Sequence, residues 1–212
     1  MSAPVSAVHI CNLALDHIKQ DAISSIDPPS TKTETVCARW YDPTRRAVLR
    51  KHPWNFAIMR TTLPRNSTDP DFGYSAAYDL PNNFVRLLTI GDDSVDDNRL
   101  KYQIENGQLL YNSDDTTALK VRYIYDHTNV AKFDALFIDI LAVELAMRMA
   151  YKFTGGENSI TRLAALLKAI APEGYAVDGQ ERPPQRIERS RFLQARRGNR
   201  SSSAGKNTVF PE

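Results

Sequence analysis

The run His52-Pro53-Trp54-Asn55-Phe56-Ala57 decides the fold, because the chain changes character on either side of it. A proline crowds the residue before it out of the helical region, so His52-Pro53 ends a helix. Trp54 and Phe56 are large apolar anchors at the entry to the next segment. The run offers no chemistry of its own and reads as a structural corner from helix into sheet.

Upstream of the corner the pattern is helical. Thr31-Lys32-Thr33-Glu34 has the form of a capping box, a hydroxyl followed three residues on by a carboxylate. A helix starts there with Val36, Trp40 and Tyr41 on its buried side, and Asp42-Pro43 marks a kink or a restart before the pattern resumes through Leu49. An earlier helix spans Val5 to Lys19, with Val8, Cys11, Leu15 and Ile18 at helical spacing, and Asp27-Pro28-Pro29 is a stop between the two. Helices therefore occupy residues 5–52.

Downstream, residues 54–125 carry short β-branched or alternating runs: Phe84–Ile90, Leu100–Ile104, Gln108–Tyr111 and Leu119–Tyr125. Asn106-Gly107 between two of them is a hairpin signal, since both central positions of that turn need positive φ. Helical spacing returns over residues 133–171, in Phe133–Phe153 and Ser159–Ile170, with Gly155-Gly156 as cap and turn. The first of these is apolar on several sides and is expected to be buried in the domain or between subunits. Within it, Glu144 and Arg148 stand four apart, which predicts an ion pair between them. The order gives an α+β fold: an α-helical bundle of two N-terminal and two later helices, with a small, mostly antiparallel β-sheet.

The last segment differs in charge. Residues 180–212 hold eight Lys+Arg against three Asp+Glu, a net of +5, which leaves the other 179 residues with 19 against 22, a net of −3. Pro183-Pro184 opens this segment and Ser201-Ser202-Ser203-Ala204-Gly205 lies near its end. The chain thus divides into an α+β body, 1–178, and a basic, extended C-terminal tail, 179–212. With few apolar anchors, the tail cannot order itself without a partner.

Bulk composition excludes some functions. With 42% hydrophobic and 25% charged residues, the chain can bury a core. The formal net charge of +2 argues against a dedicated nucleic-acid binder at the level of the whole chain. Cys11 and Cys37 both sit in apolar helical patterns and read as reduced core thiols. The beginning of the chain lacks a signal-peptide pattern, and no stretch reaches the length of a membrane span. A protein made in the cytoplasm without a membrane anchor is expected.

Candidate chemistry is sparse. His9, His17, His52 and His127 fall into no metal-ligand spacing, and the phosphate-loop, dinucleotide and nucleophile-elbow patterns are missing. Asp92-Asp93, Asp96-Asp97 and Asp114-Asp115 could in principle bind calcium or supply the two carboxylates of a glycosidase. Adjacent aspartates also favour solvated turns, and that reading is preferred. No catalytic residue, metal or cofactor is expected, so the chain reads as non-enzymatic. The tail has two readings of nearly equal weight. It is either an arm that neutralises phosphates or a docking peptide, with Ile187, Phe192 and Leu193 as anchors and arginines meeting a partner's carboxylates.

A longer pattern separates these readings. Tyr41-Asp42-Pro43, then Arg46-Ala47-Val48-Leu49-Arg50, then the corner run, Arg60 and Leu63 together resemble a signature of the podovirus tail tubular protein A family, the head-to-tail adaptors of T7-like phages. Tyr78-Asp79-Leu80-Pro81-Asn82-Asn83-Phe84-Val85-Arg86 resembles that family's extended element, as do Asn12-Leu13-Ala14-Leu15 and the stretch from Phe133-Asp134 through Thr154-Gly155 elsewhere. The likeness runs through most of residues 8 to 197.

The resemblance implies a virion protein at the head–tail junction. It would form a dodecameric ring beneath the phage portal protein and above a tail nozzle resembling tail tubular protein B, with DNA in transit through the central channel during genome ejection. It also implies that the tail contacts the portal, which makes Ile187, Arg189, Arg191, Phe192, Leu193, Arg196 and Arg197 docking candidates. Ring contacts would be heterologous, since that is how a cyclic ring closes. Asp92, Asp93, Asp96 and Asp97 would reduce DNA sticking if their loop faces the channel. A peptidoglycan hydrolase and a non-specific nucleic-acid-binding virion protein are the alternative functions.

Overall fold

The computed structural model of the chain describes residues 5–91, 93–94, 101–112, 118–155 and 157–181, with the backbone alone at 93, 94 and 154. The fold is α+β. Helices α1 (Ala7–His17) and α2 (Lys32–Lys51) come first. Strands β1 (Ile58–Pro64), β2 (Ala76–Asp79), β3 (Phe84–Ile90), β4 (Asp93–Ser94), β5 (Tyr102–Glu105), β6 (Gln108–Tyr111) and β7 (Ala118–Tyr125) come next. Helices α3 (Ala135–Thr154) and α4 (Glu157–Gln180) close the described part.

The ends of these elements follow from local chemistry. Ser6 caps α1 by accepting the His9 N–H at 3.1 Å. Thr31 and Glu34 form the expected capping box on α2, each side chain accepting the other's backbone N–H. Asp134 caps α3, and Gly155 at φ +58° ends it in the left-handed region, where only glycine is free of a Cβ penalty. The restart considered at Asp42-Pro43 does not occur, because α2 runs unbroken through Pro43. Pro43 leaves the Arg39 carbonyl without its helical donor, and one residue on the Thr44 hydroxyl adds a bond to the Trp40 carbonyl at 2.6 Å.

Two antiparallel sheets form where one was expected, in the orders β1-β7-β3-β4 and β2-β6-β5. An isolated bridge between Arg65 and Tyr78 links the end of β1 to β2. The Asn106-Gly107 hairpin joins β5 to β6, with φ of +47° and +75° at its two central residues, as the dipeptide requires.

The four-stranded sheet is covered on both faces, which makes three layers. Val85, Leu88 and Ile124 point into the helical core, whereas Leu87, Val121 and Tyr123 join Leu63, Tyr78 and Leu109 in a second cluster under the other sheet. Neighbours Leu87 and Leu88 therefore serve different cores, as the two-residue period of a strand dictates. α3 is the centre of the helical layer. Phe137, Leu141, Val143, Leu145 and Met149 are all buried, on several sides of the helix, as its apolar pattern predicts.

Two expectations fail here. Glu144 pairs with Lys51 at the end of α2, while Arg148 lies over the Trp40 ring with its guanidinium carbon 5.7 Å from the centroid. α2 packs along α3 and supplies each charge with a better partner than its helical neighbour. The last helix also does not stop near Ala171: α4 continues through Pro172 to Gln180. Pro172 and Lys168 are both exposed, so water can meet the Lys168 carbonyl that the proline leaves without a donor.

Candidate functional site

The corner run closes on the C-terminal turns of α4. Asp178 is 7% exposed, and its carboxylate accepts the backbone N–H of Asn55 at 2.8 Å while lying 2.8 Å from His52 Nε2. The Asn55 side-chain amide donates to the Asp178 carbonyl at 2.7 Å and reaches Glu181 Oε2 at 3.3 Å. His52 stacks on Tyr175, with ring centroids 4.6 Å apart and planes 9° from parallel. Trp54, fully buried, meets His52, Phe137 and Tyr175 edge to face. Gly174 makes room for this, because a Cβ there would lie 3.0 Å from Ile140 Cδ1 and 3.6 Å from the Trp54 ring. Gly174, Tyr175 and Asp178 fall on one face of α4 by helical spacing. The arrangement is a clasp that locks the end of α4 to the helix-to-sheet corner.

A second tie reaches the other way from α2. Arg45 is buried, donates to the His127 carbonyl at 2.8 Å, and lies 3.0 Å from Asp126 and 3.1 Å from Asp42. Arg46 adds a bond to Asp126 at 2.8 Å. Arg45 and Arg46 thus join α2 to the residues just after β7, and Asp42 of the signature steadies Arg45 from within the helix. His127 is buried among Phe56, Tyr125 and Phe133, and its Nδ1 accepts the Asn129 N–H at 3.1 Å. Burial, with Lys132 and Arg45 nearby, holds its pKa below the usual histidine range.

At the start of α2, Glu34 is the most heavily engaged carboxylate described. Its oxygens accept from Ser30 N and Oγ at 2.7 Å each, from Thr31 N at 2.9 Å, and from Ser24 Oγ and Ser25 N at 3.1 and 3.2 Å. These bonds, those from Ser30 first, hold its pKa well below the ordinary glutamate value. Cys11 and Cys37 are free and buried, with Cys37 Sγ 3.7 Å from Met149 Sδ. A hydrogen bond with Cys37, together with burial, pushes the Cys11 thiol far above its usual range.

Of the residues singled out from sequence, His52, Pro53, Trp54, Asn55 and Phe56 are brought together. Asp93 lies in β4, paired with Ile90, whereas Asp92, Asp96 and Asp97 fall outside the described residues. The same holds for Asp114 and Asp115 and for the tail candidates Ile187, Arg189, Arg191, Phe192, Leu193, Arg196 and Arg197. Sequence reasoning missed Gly174, Tyr175 and Asp178, because Pro172 masks the helix that aligns them. It also passed over Arg45, a charged residue on an otherwise apolar helix face.

Among the described residues, no group of three or more His, Cys, Asp or Glu is placed to hold a metal ion, and no helix is long and apolar enough to cross a membrane. No family model matches the chain, and no curated protein is significantly similar to it.

Proposed function

We propose that the chain is a structural head-to-tail adaptor of a short-tailed bacteriophage. In this reading it forms a dodecameric ring between portal and nozzle, with DNA passing through the centre and the basic tail docking on the portal. The observation that carries the reading is the clasp. The signature run His52-Pro53-Trp54-Asn55-Phe56 is spent on holding the last turns of α4, and the segment of net charge +5 comes directly after them in sequence. A fixed exit point suits a docking arm, because fixing where a tethered segment starts raises its effective concentration at the partner's surface. Arginines in that arm would meet portal carboxylates in bidentate pairs.

The test mixes purified protein with a candidate phage portal ring. The full chain is compared with one ending at Glu181, which keeps the clasp intact. Size exclusion and negative-stain imaging should show the full chain decorating one end of the portal and the shortened chain failing to do so. Absence of decoration by either form would overturn the reading. Salt-sensitive binding of the full chain to random duplex DNA in its place would favour the nucleic-acid alternative.

A further inference from the structure

The loop between β1 and β2 holds an aromatic ring out in solvent. Phe72 is 87% exposed, the most exposed of the large apolar side chains described. The loop that carries it is pinned at its neck. Arg65 Nη2 donates to Asp69 Oδ1 at 2.6 Å and to the Ser75 carbonyl at 2.7 Å, which ties one side of the loop to the other. The Asn66 N–H donates to the Ala77 carbonyl at 2.9 Å, and the Ser75 N–H to Asn112 Oδ1 at 2.8 Å. Gly73, at φ +84°, turns the chain directly after the ring. Asp69 and Asp71 precede Phe72, and both are exposed. An apolar ring presented on a braced loop gains by burial in a partner, and little loop ordering is left to oppose binding.

A recess of matching character lies in the helical layer, between the end of α1 and the start of α4. It is an open pocket of about 380 Å³ lined by Asp16, His17, Lys19, Arg162, Leu163 and Leu166. Leu163, buried, and Leu166, 37% exposed, give it an apolar wall. Two of its lining residues are cationic, Lys19 and Arg162, and one, Asp16, is anionic. Arg162 Nη2 donates to the His17 carbonyl at 2.8 Å, which fixes the guanidinium against the end of α1. A neighbouring hollow of about 250 Å³ shares Lys19 and Arg162, so these two cations stand between the hollows. About 150 Å³ of apolar cavity is enough for a benzene ring, so the pocket has room for a phenyl group and the residue beside it.

We propose that Phe72 of one copy of the chain enters the α1–α4 pocket of a second copy, with Asp71 meeting Lys19 or Arg162. The two surfaces complement each other in polarity and in charge, an aromatic ring with aspartates against leucines with two cations. At 87% exposure, Phe72 does not fill the pocket of its own chain, so the ring is available to another copy. The basic C-terminal segment would bring its arginines to Lys19 and Arg162, which is the wrong sign. Nucleic acid would use the two cations and leave Leu163 and Leu166 without an apolar partner. Knob and pocket are different surfaces, so each copy offers one of each. The contact is therefore heterologous and repeats head to tail, closing into a ring or extending into a filament. The inference rests on these two surfaces and does not require a portal; within the adaptor reading it would supply the ring contact.

The test begins with sedimentation of the full chain between about 1 μM and about 1 mM, the span of weak to moderate affinities. Species that grow past the dimer with concentration are expected. Phe72→Ala and Leu166→Asp should each weaken this association by roughly tenfold or more, as loss of an interface anchor implies. Both side chains are exposed, so thermal unfolding should stay unchanged, which separates a lost contact from a lost fold. Mixing the two variants decides the geometry. The first keeps its pocket and the second its knob, so the mixture should form a one-to-one dimer and nothing larger, while each alone stays monomeric. A benzophenone side chain at position 72 should cross-link on irradiation to residues 16–19 or 162–166 of another copy. A monomer at every concentration, association that either substitution leaves intact, or mixed variants that grow past the dimer would overturn the inference. Cross-linking into residues 182–212 would overturn it in favour of the C-terminal segment. Portal decoration is scored separately: decoration without self-association removes this contact and leaves the adaptor reading standing, and self-association without decoration does the reverse.

Discussion

The helical half of the molecule buries three carboxylates, each engaged by a partner, whereas the described carboxylates of the strand half stand in water. Glu34, Glu144 and Asp178 are each under a tenth exposed, and every one of them holds an element in place. Asp69, Asp79 and Glu105 lie on the outer sheet and its loops, where Asp69 bonds Arg65 and Asp79 accepts from Asn66 and Gln108 at the surface. A buried carboxylate is tolerable only when its oxygens are satisfied, so each site in the helical half admits one arrangement. The strand half carries less such constraint. The difference places the most tightly specified polar contacts in the helical half.

The sharpest way to break that contrast is to truncate its anchor. Trp54→Ala removes a fully buried side chain that touches His52, Phe137 and Tyr175, and should cost about 3–5 kcal/mol in chemical denaturation. Phe72→Ala, at a ring 87% exposed, should change stability by no more than about 0.5 kcal/mol. Similar losses from the two would erase the distinction between the halves.

Acid should find the buried carboxylates next. Hydrogen bonds from Ser30 and Thr31 hold Glu34 ionised to well below its ordinary pKa, so the unfolded chain takes up the proton first as pH falls. The stabilisation from this group is complete above about pH 4.3 and is lost progressively on going lower. Glu34→Gln should lower the melting temperature at pH 7, and the gap to the parent should narrow as pH drops below 4. A constant gap across that range would show that the carboxylate charge is irrelevant to the cap.

Asp178→Ala comes third. It leaves the Asn55 N–H and the His52 ring without their acceptor, which should cost about 1–3 kcal/mol. Its effect should be local: amide exchange should quicken in the last turns of α4 while the amides of α1 keep their protection. Uniform loss of protection would mean that the clasp supports the whole helical layer rather than one terminus.

How much of this was legible beforehand depended on the range of the interaction. The capping box at Thr31 and Glu34, the Asn106-Gly107 turn and the Gly155 cap are set by neighbours within four residues, and the sequence shows them directly. The clasp joins His52 and Asn55 to a residue more than 120 positions away, and no local pattern marks Asp178 as its acceptor. β2 was hidden for a related reason. Its four residues Ala76–Asp79 form a strand because β6 lies alongside, and alanine has little strand preference of its own. The division into two sheets was equally out of reach, since Leu87 and Leu88 look alike in sequence and differ only in which core receives them. Corner, caps and turns are therefore read from sequence, whereas the partner of each buried charge is not.

The smallest effect bears on whether the two cores are separately stable. Gly107 sits at φ +75° in the β5–β6 hairpin, and a Cβ added there meets nothing within 4 Å. Gly107→Ala therefore tests backbone strain alone, without overpacking, and should cost about 1 kcal/mol. The loosened β5–β6 hairpin should exchange its amides faster, with the clasp untouched. If this one methyl group instead unfolded α4 as readily as the strands, the two cores would be melting together. The outer sheet would then be part of the rigid frame, and its exposed carboxylates would border the same cooperative unit as the buried ones.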